Sequence, residues 1–206
     1  MCEPASFVVV KGPKALWSKR SDAHTEIRTD HGVPENGIGH PSSVQVEITP
    51  AGRNYALPLK DWTFRFDQTE LPEWWDAVEA EKECRSELEN WAKARLFVNR
   101  NGEVRDGCVF ACGSSTVTAY GSSTVTAYDS STVTAYDSST VTAYGSSTVT
   151  AYDSSKVTAC EGSATVSVYC AFSCKLTGAL AVIINRIGKK AKCYVGTEKT
   201  QIVVGK

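Results

Sequence analysis

Gly113-Ser114-Ser115-Thr116-Val117-Thr118-Ala119-Tyr120 is the first of six consecutive copies of one eight-residue phrase that runs to Cys160. The opening residue alternates irregularly between Gly and Asp (Gly113, Gly121, Asp129, Asp137, Gly145, Asp153). Only the sixth copy departs further, with Lys156 in place of Thr and Cys160 in place of Tyr. Eight residues bury nothing alone, so neighbouring copies must stack. Thr-Val-Thr-Ala-Tyr alternates polar with apolar and is rich in β-branched and aromatic residues, the pattern of a half-buried strand. Alternation puts Val117 and Ala119 on one face and Thr116, Thr118 and Tyr120 on the other. Gly or Asp with two serines supplies a corner, because Gly accepts positive φ while Asp and Ser hydrogen-bond their own backbone. Strand plus corner, repeated, predicts a β-solenoid. One octad cannot close around an interior, so a coil takes two octads, or three in the alternative arrangement.

Small inward residues imply a narrow interior with no ligand cavity. Coils about 4.8 Å apart turn identical residues into ladders: Val and Ala inside, two Thr rows and a Tyr row outside. With two octads per coil the corner columns read Gly, Asp, Gly and Gly, Asp, Asp, so three carboxylates never stack. The register extends outward. Val109 and Ala111 keep it at one end, with Cys112 at the Tyr position, and Thr165-Val166-Ser167-Val168-Tyr169 keeps it at the other. Degenerate end copies suit capping coils, which cover strand edges. The apolar run Ala179–Ile184, then Lys189, Lys190 and Lys192, and a last strand Gln201–Val204 read as a C-terminal cap over about 170–206 with a charged edge. The expected division is 1–104 and 105–206.

The octad resembles the Ala-Gly-Tyr-Gly-Ser-Thr-Leu-Thr repeat of bacterial ice-nucleation proteins. Ala119, Tyr120, Gly121, Ser122, Thr124, Val125 and Thr126 carry the match, which recurs over roughly residues 105–169. The resemblance implies a β-solenoid whose Thr rows order water and whose Tyr ladder mediates pairing.

Of 206 residues, 22 are basic and 23 acidic, a net charge of −1 that argues against nucleic acid as a partner. The charge is unevenly spread: residues 161–206 carry 7 basic and 2 acidic side chains, against 13 and 16 in residues 1–100. No segment approaches the ~20 apolar residues needed to cross a bilayer, and the first 20 residues lack a leader-like apolar core. A cytoplasmic location, in a bacterium or a phage-infected cell, is the expectation. Eight cysteines include Cys108/Cys112 and Cys170/Cys174, one Cys-x3-Cys pair at each end of the array. Four thiols so far apart cannot share a tetrahedral zinc, and cysteine at Tyr positions reads as a small buried hydrophobe.

The first hundred residues form a different module, α+β. Strands are expected at Phe7–Val10, Val44–Ile48 and Trp62–Phe66. Leu71-Pro72 opens a helix to about Arg95, with a buried stripe of Trp74, Val78, Cys84, Leu88 and Trp91 and with glutamates opposite. Leu96–Val104 reads as a hairpin about Asn101-Gly102. His24, Glu26, Asp30, His31 and His40 are the candidates for acid–base or metal chemistry, but Ser21–Ile38 reads as a polar surface loop without a supporting motif. Asp61–Asp67 with Leu71–Asp76 resembles segments of uncharacterised bacteriophage and prophage proteins that carry short-period repeats. That resemblance implies a mobile-element origin.

The reading of the whole is a mainly β, non-enzymatic interaction protein without cofactor, metal or small-molecule substrate. Its partner would be a protein or a second copy. The contact row is Tyr120, Tyr128, Tyr136, Tyr144 and Tyr152. The alternative is a water- or ice-ordering face made by Thr116, Thr118, Thr124, Thr126, Thr132, Thr134, Thr140, Thr142, Thr148 and Thr150.

Overall fold

In a computed structural model of the chain, residues 4–37, 41–66 and 68–169 are described, with 159–161 described by backbone alone. Beyond them, residues 174–176, 182–185, 192–195 and 202–204 are likewise described by backbone. Two compact units divide the chain, Met1–Ala94 and Arg95–Lys206.

The first unit is an antiparallel sheet with two helices. Its strands β1 (Ser6–Val10), β2 (Lys14–Leu16), β3 (Ser43–Thr49) and β4 (Thr63–Phe66) lie in the order β2-β1-β3-β4. The three expected strands are β1, β3 and β4. Where a loop was expected, His24–His31 forms helix α1. Its apolar anchor, Ile27, packs with Val8 and Leu16, too few residues to give the sequence a helical period.

Helix α2 spans Ala77–Arg95 and starts later than Pro72, because the Asp76 carboxylate accepts the N–H groups of Val78 and Glu79 and caps it there. Trp74 therefore precedes the helix, and Val78 is 76% exposed instead of buried. The buried stripe is Ala80, Cys84, Leu88 and Trp91, and Trp91 meets Trp62 edge-on at 6.0 Å.

The second unit is a β-solenoid of two seven-stranded sheets. One, the β9 sheet, holds β5 (Leu96–Val98), β7 (Cys108–Cys112), β9 (Thr124–Ala127), β11 (Thr140–Gly145), β13 (Lys156–Gly162), β15 (Cys174–Leu176) and β18 (Ile202–Val204). The β8 sheet holds β6 (Asn101–Arg105), β8 (Thr116–Tyr120), β10 (Thr132–Ala135), β12 (Thr148–Ala151), β14 (Thr165–Val168), β16 (Val182–Asn185) and β17 (Lys192–Val195). Thr116 pairs with Thr132 and Thr132 with Thr148, so a coil is 16 residues, two octads. One extra residue then enters, since Thr148 pairs with Thr165. Parallel pairing ends where β17 and β18 join antiparallel to β16 and β15. The apolar run and the last expected strand thus supply β16 and β18, whereas Lys189, Lys190 and the Cys170 thiol lie outside the described residues.

Leu96–Val104 is not a hairpin. β5 and β6 join different sheets, parallel to β7 and β8, and begin the solenoid. Phe97 stands in the row of Ala111 and fills the interior, and Gly102 stands in the row of Val117. A Cβ at Gly102 would run into the Phe97 ring, so this glycine makes room for an aromatic and does not turn the chain.

Candidate interaction surface

Each coil is built from an inside that repeats and an outside that does not quite. Val117, Val125, Val133, Val141 and Val149 are fully buried, as are Ala119, Ala127, Ala135, Ala143 and Ala151. A third inward row, missed in the sequence reading, consists of Ser115, Ser123, Ser131, Ser139, Ser147 and Ser155. The interior is therefore not wholly apolar. Counting by twos back from Val117 reaches Ser115, so extending the alternation through the corner would have found this row. Four of the six serine hydroxyls, those of Ser115, Ser123, Ser131 and Ser155, turn their buried polarity onto the corner itself. Ser123, Ser131 and Ser155 each donate to the Tyr carbonyl three residues earlier at 2.5–2.8 Å.

The residue that opens each corner has positive φ: 64–66° at Gly113, Gly121 and Gly145, and 55–57° at Asp129, Asp137 and Asp153. Where Asp occupies it, the side chain links coils. Asp129 accepts the Gly113 N–H at 3.0 Å, Asp137 that of Gly121 at 2.8 Å, and Asp153 that of Asp137 at 3.2 Å. Asp106 reaches the other way, to the N–H and hydroxyl of Ser122, and these hydrogen bonds hold its carboxyl below the usual carboxylate range. A Cβ at Gly121 would meet that carboxylate, so any larger residue there has to turn Asp106 away from Ser122.

Outside, the expected single Tyr row is two stacks, because successive octads alternate between sheets. Tyr120, Tyr136, Tyr152 and Tyr169 stack face to face, with centroids 5.3, 5.0 and 5.0 Å apart and planes within 15° of parallel. Tyr128 and Tyr144 form the second stack at 5.1 Å, with Cys112 one coil before it. The Arg105 guanidinium lies 4.9 Å over the Tyr120 ring and closes the first end of the longer stack, a cation–π contact. These rings are half-buried against one another, except that Tyr169 is 44% exposed.

The Thr rows divide the same way. On the β8 sheet, Thr116, Thr132, Thr148 and Thr165 are in register, beside Thr118, Thr134, Thr150 and Ser167. The β9 sheet has Thr124 and Thr140 beside Thr126 and Thr142, bounded by Cys108 and Phe110 before and by Lys156 beside Thr158 after. The two faces are not equivalent, and the unbroken polar row lies on the β8 sheet next to the longer Tyr stack.

Cys108 and Cys112 are buried, and burial pushes the pKa of the Cys112 thiol up to about 12. Arg95 donates to the Cys108 carbonyl at 2.9 Å and lies over Phe110.

The histidine candidates do not converge. His24 is buried on α1, its Nε2 is 3.2 Å from the Val46 carbonyl, and desolvation lowers its pKa. His31 is exposed, with Nε2 2.9 Å from the Trp17 carbonyl, while Asp30 pairs with Ser18 and Arg20 and Glu26 is exposed. His40 lies outside the described residues. Among the described residues no three His, Cys, Asp or Glu side chains gather as a metal site, and no helix is long and apolar enough to cross a membrane. The chain matches no protein-family model, no curated protein and no solved structure.

Proposed function

We propose that this is a non-enzymatic interaction protein of a phage or mobile element, which binds a macromolecular partner or a second copy of itself through the β8 face of its solenoid. The observation that carries this reading is the four-ring Tyr stack beside an unbroken Thr row. Stacked rings held by backbone register are ordered before any partner arrives, so association costs them little conformational entropy. The filled interior leaves the surface as the only recognition element of the array. Replacing Tyr120, Tyr136 and Tyr152 together by Ser should abolish self-association or partner capture, whereas Tyr128→Ser with Tyr144→Ser should leave it largely intact. Equal behaviour of the two variants in sedimentation and pull-down would refute the assignment.

A second reading is water ordering by the same face. In its favour, Lys156 interrupts only the β9 sheet, so the β8 rows present Thr hydroxyls at a regular spacing, about 4.8 Å between coils and about 6.8 Å along each strand. Thermal hysteresis of purified protein, lost on Thr134→Lys, is the test; absence of hysteresis at high concentration eliminates it.

A further inference from the structure

We propose that the free edge of the N-terminal sheet, β4 with the aromatic segment after it, docks an extended lysine- or arginine-bearing segment of another protein. This rests on observations independent of the solenoid.

Among the described residues β4 is the terminal strand of its sheet, and alternate N–H and C=O groups along its outer side meet no further strand there, which is a template for one more strand. The cross-strand row Phe7–Val46–Phe66 lies on one face of the sheet. Phe7 and Val46 are fully buried, but Phe66 at the edge is 39% exposed. Phe64, paired with the buried Ile48, continues the same face. The core face of the sheet therefore runs out into solvent at β4 instead of ending in polar side chains, the usual protection of an edge.

Aromatic rings extend it further. Phe66 meets Phe64 at 6.4 Å and Trp75 at 5.3 Å, Trp75 meets Trp74 at 6.3 Å, and Leu71 nearby is 39% exposed. Most of these rings touch one another edge to face, which leaves ring faces for a cation.

Charge selects the occupant. Asp61, Glu70, Glu73 and Asp76 are exposed around the strip, against the cations Lys60, Arg65 and Arg85. Alternation turns Arg65 to the face opposite Phe64 and Phe66, and Arg85 reaches the Trp62 carbonyl but is paired with Glu81. An added strand that alternates apolar with basic residues would extend the Phe64/Phe66 face and answer these carboxylates. An acidic strand would meet like charge.

The test uses the full chain and an eight-residue peptide of alternating lysine and valine, followed by titration calorimetry and tryptophan fluorescence. Two control peptides carry glutamate for lysine, or proline for the two central valines. Saturable binding of the lysine peptide alone, weakened about fivefold or more by Glu73→Lys and by Phe66→Ser, is the expected result. If circular dichroism shows that Phe66→Ser has unfolded the first unit, the exposed Glu73→Lys decides. Equal binding of the glutamate or proline peptide would overturn the proposal, as would no binding of any peptide. So would a dimer of the chain that Glu73→Lys dissolves, which would make the occupant a second copy.

Discussion

Ser131 and Ser147 occupy the same place in the octad, one coil apart, and both are fully buried. Their hydroxyls differ. Ser131 donates to the Tyr128 carbonyl at 2.8 Å, whereas the Ser147 Oγ has no partner. The cause lies in the neighbouring coil, where one extra residue brings Gly162 against Gly145 and shifts the register after Ala143. β11 runs on to Gly145, which pairs with Gly162 across the extra residue while keeping the φ of the other corners. Ser131→Ala removes a buried hydrogen bond while the Tyr128 carbonyl keeps the Ser131 N–H at 3.2 Å, so the cost should be about 1 kcal/mol. Ser147→Ala removes a desolvated hydroxyl that nothing compensates, which should be neutral or stabilise by about 1–3 kcal/mol. The difference between two chemically identical substitutions is then about 1–4 kcal/mol, or roughly 0.5–2 M in urea midpoint for a slope near 2 kcal/mol/M. All five tryptophans lie before residue 94, so their fluorescence reports the first unit; the solenoid should be followed by far-UV circular dichroism and by hydrogen exchange at Val133 and Val149. Equal destabilisation by both variants would mean that the Ser147 hydroxyl reaches a carbonyl after all, and the account of the shifted corner would fail.

Gly121→Ala should destabilise the solenoid by more than Gly32→Ala destabilises the first unit. Both have φ of 66°, which costs an L-residue about 1 kcal/mol, but only Gly121 faces a carboxylate where its Cβ would go. Comparable losses in the two unfolding transitions would show that the Asp106 contact is dispensable. His24 is held neutral by burial, so its folded pKa lies below the unfolded value of about 6.5. The unfolded state then takes up the proton first. The stabilisation is complete above that unfolded value and is lost as pH falls through the folded pKa. Tryptophan-monitored urea midpoints should therefore fall on acidification below about pH 6.5, and His24→Gln should flatten that dependence. An unchanged slope would place the titrating group elsewhere.

The solenoid could be read from its sequence because every level of the octad agrees: alternation, β-branched residues and corner residues with a tolerance for positive φ. Closure alone excluded one octad per coil and left two or three, and the pairing of Thr116 with Thr132 decides for two. What escaped the reading was decided by neighbours in space. The Tyr positions look like one row along the chain, and only the 16-residue register sorts them into Tyr120/Tyr136/Tyr152/Tyr169 and Tyr128/Tyr144. Asn101-Gly102 is a strong local hairpin signal, overridden because the Gly102 row had to accommodate Phe97. α1 escaped because a helix that buries one isoleucine beside His24 and Arg28 shows almost no apolar period.

The dimensions of the β8 face limit what it can do by itself. Three stacked Thr pairs and the Thr165/Ser167 pair cover about 19 Å along the solenoid and about 14 Å along each strand, an area of roughly 270 Å². A stable protein interface takes about 800 Å² from each partner. The face must therefore recruit the adjoining Tyr stack, or act weakly and transiently, or gain from length. Because each coil adds one ring to the stack at about 5 Å, affinity should grow with coil number. Duplicating residues 121–152 inserts two coils in register and lengthens the stack by two rings. With each ring pair contributing about 0.5–1.5 kcal/mol, self-association should tighten by about 5- to 150-fold. Sedimentation equilibrium of the lengthened chain measures this directly. A dissociation constant that stays the same while the extra coils are shown to be folded would place the contact outside the repeating surface, and the ring stack would then serve only to hold the coils together.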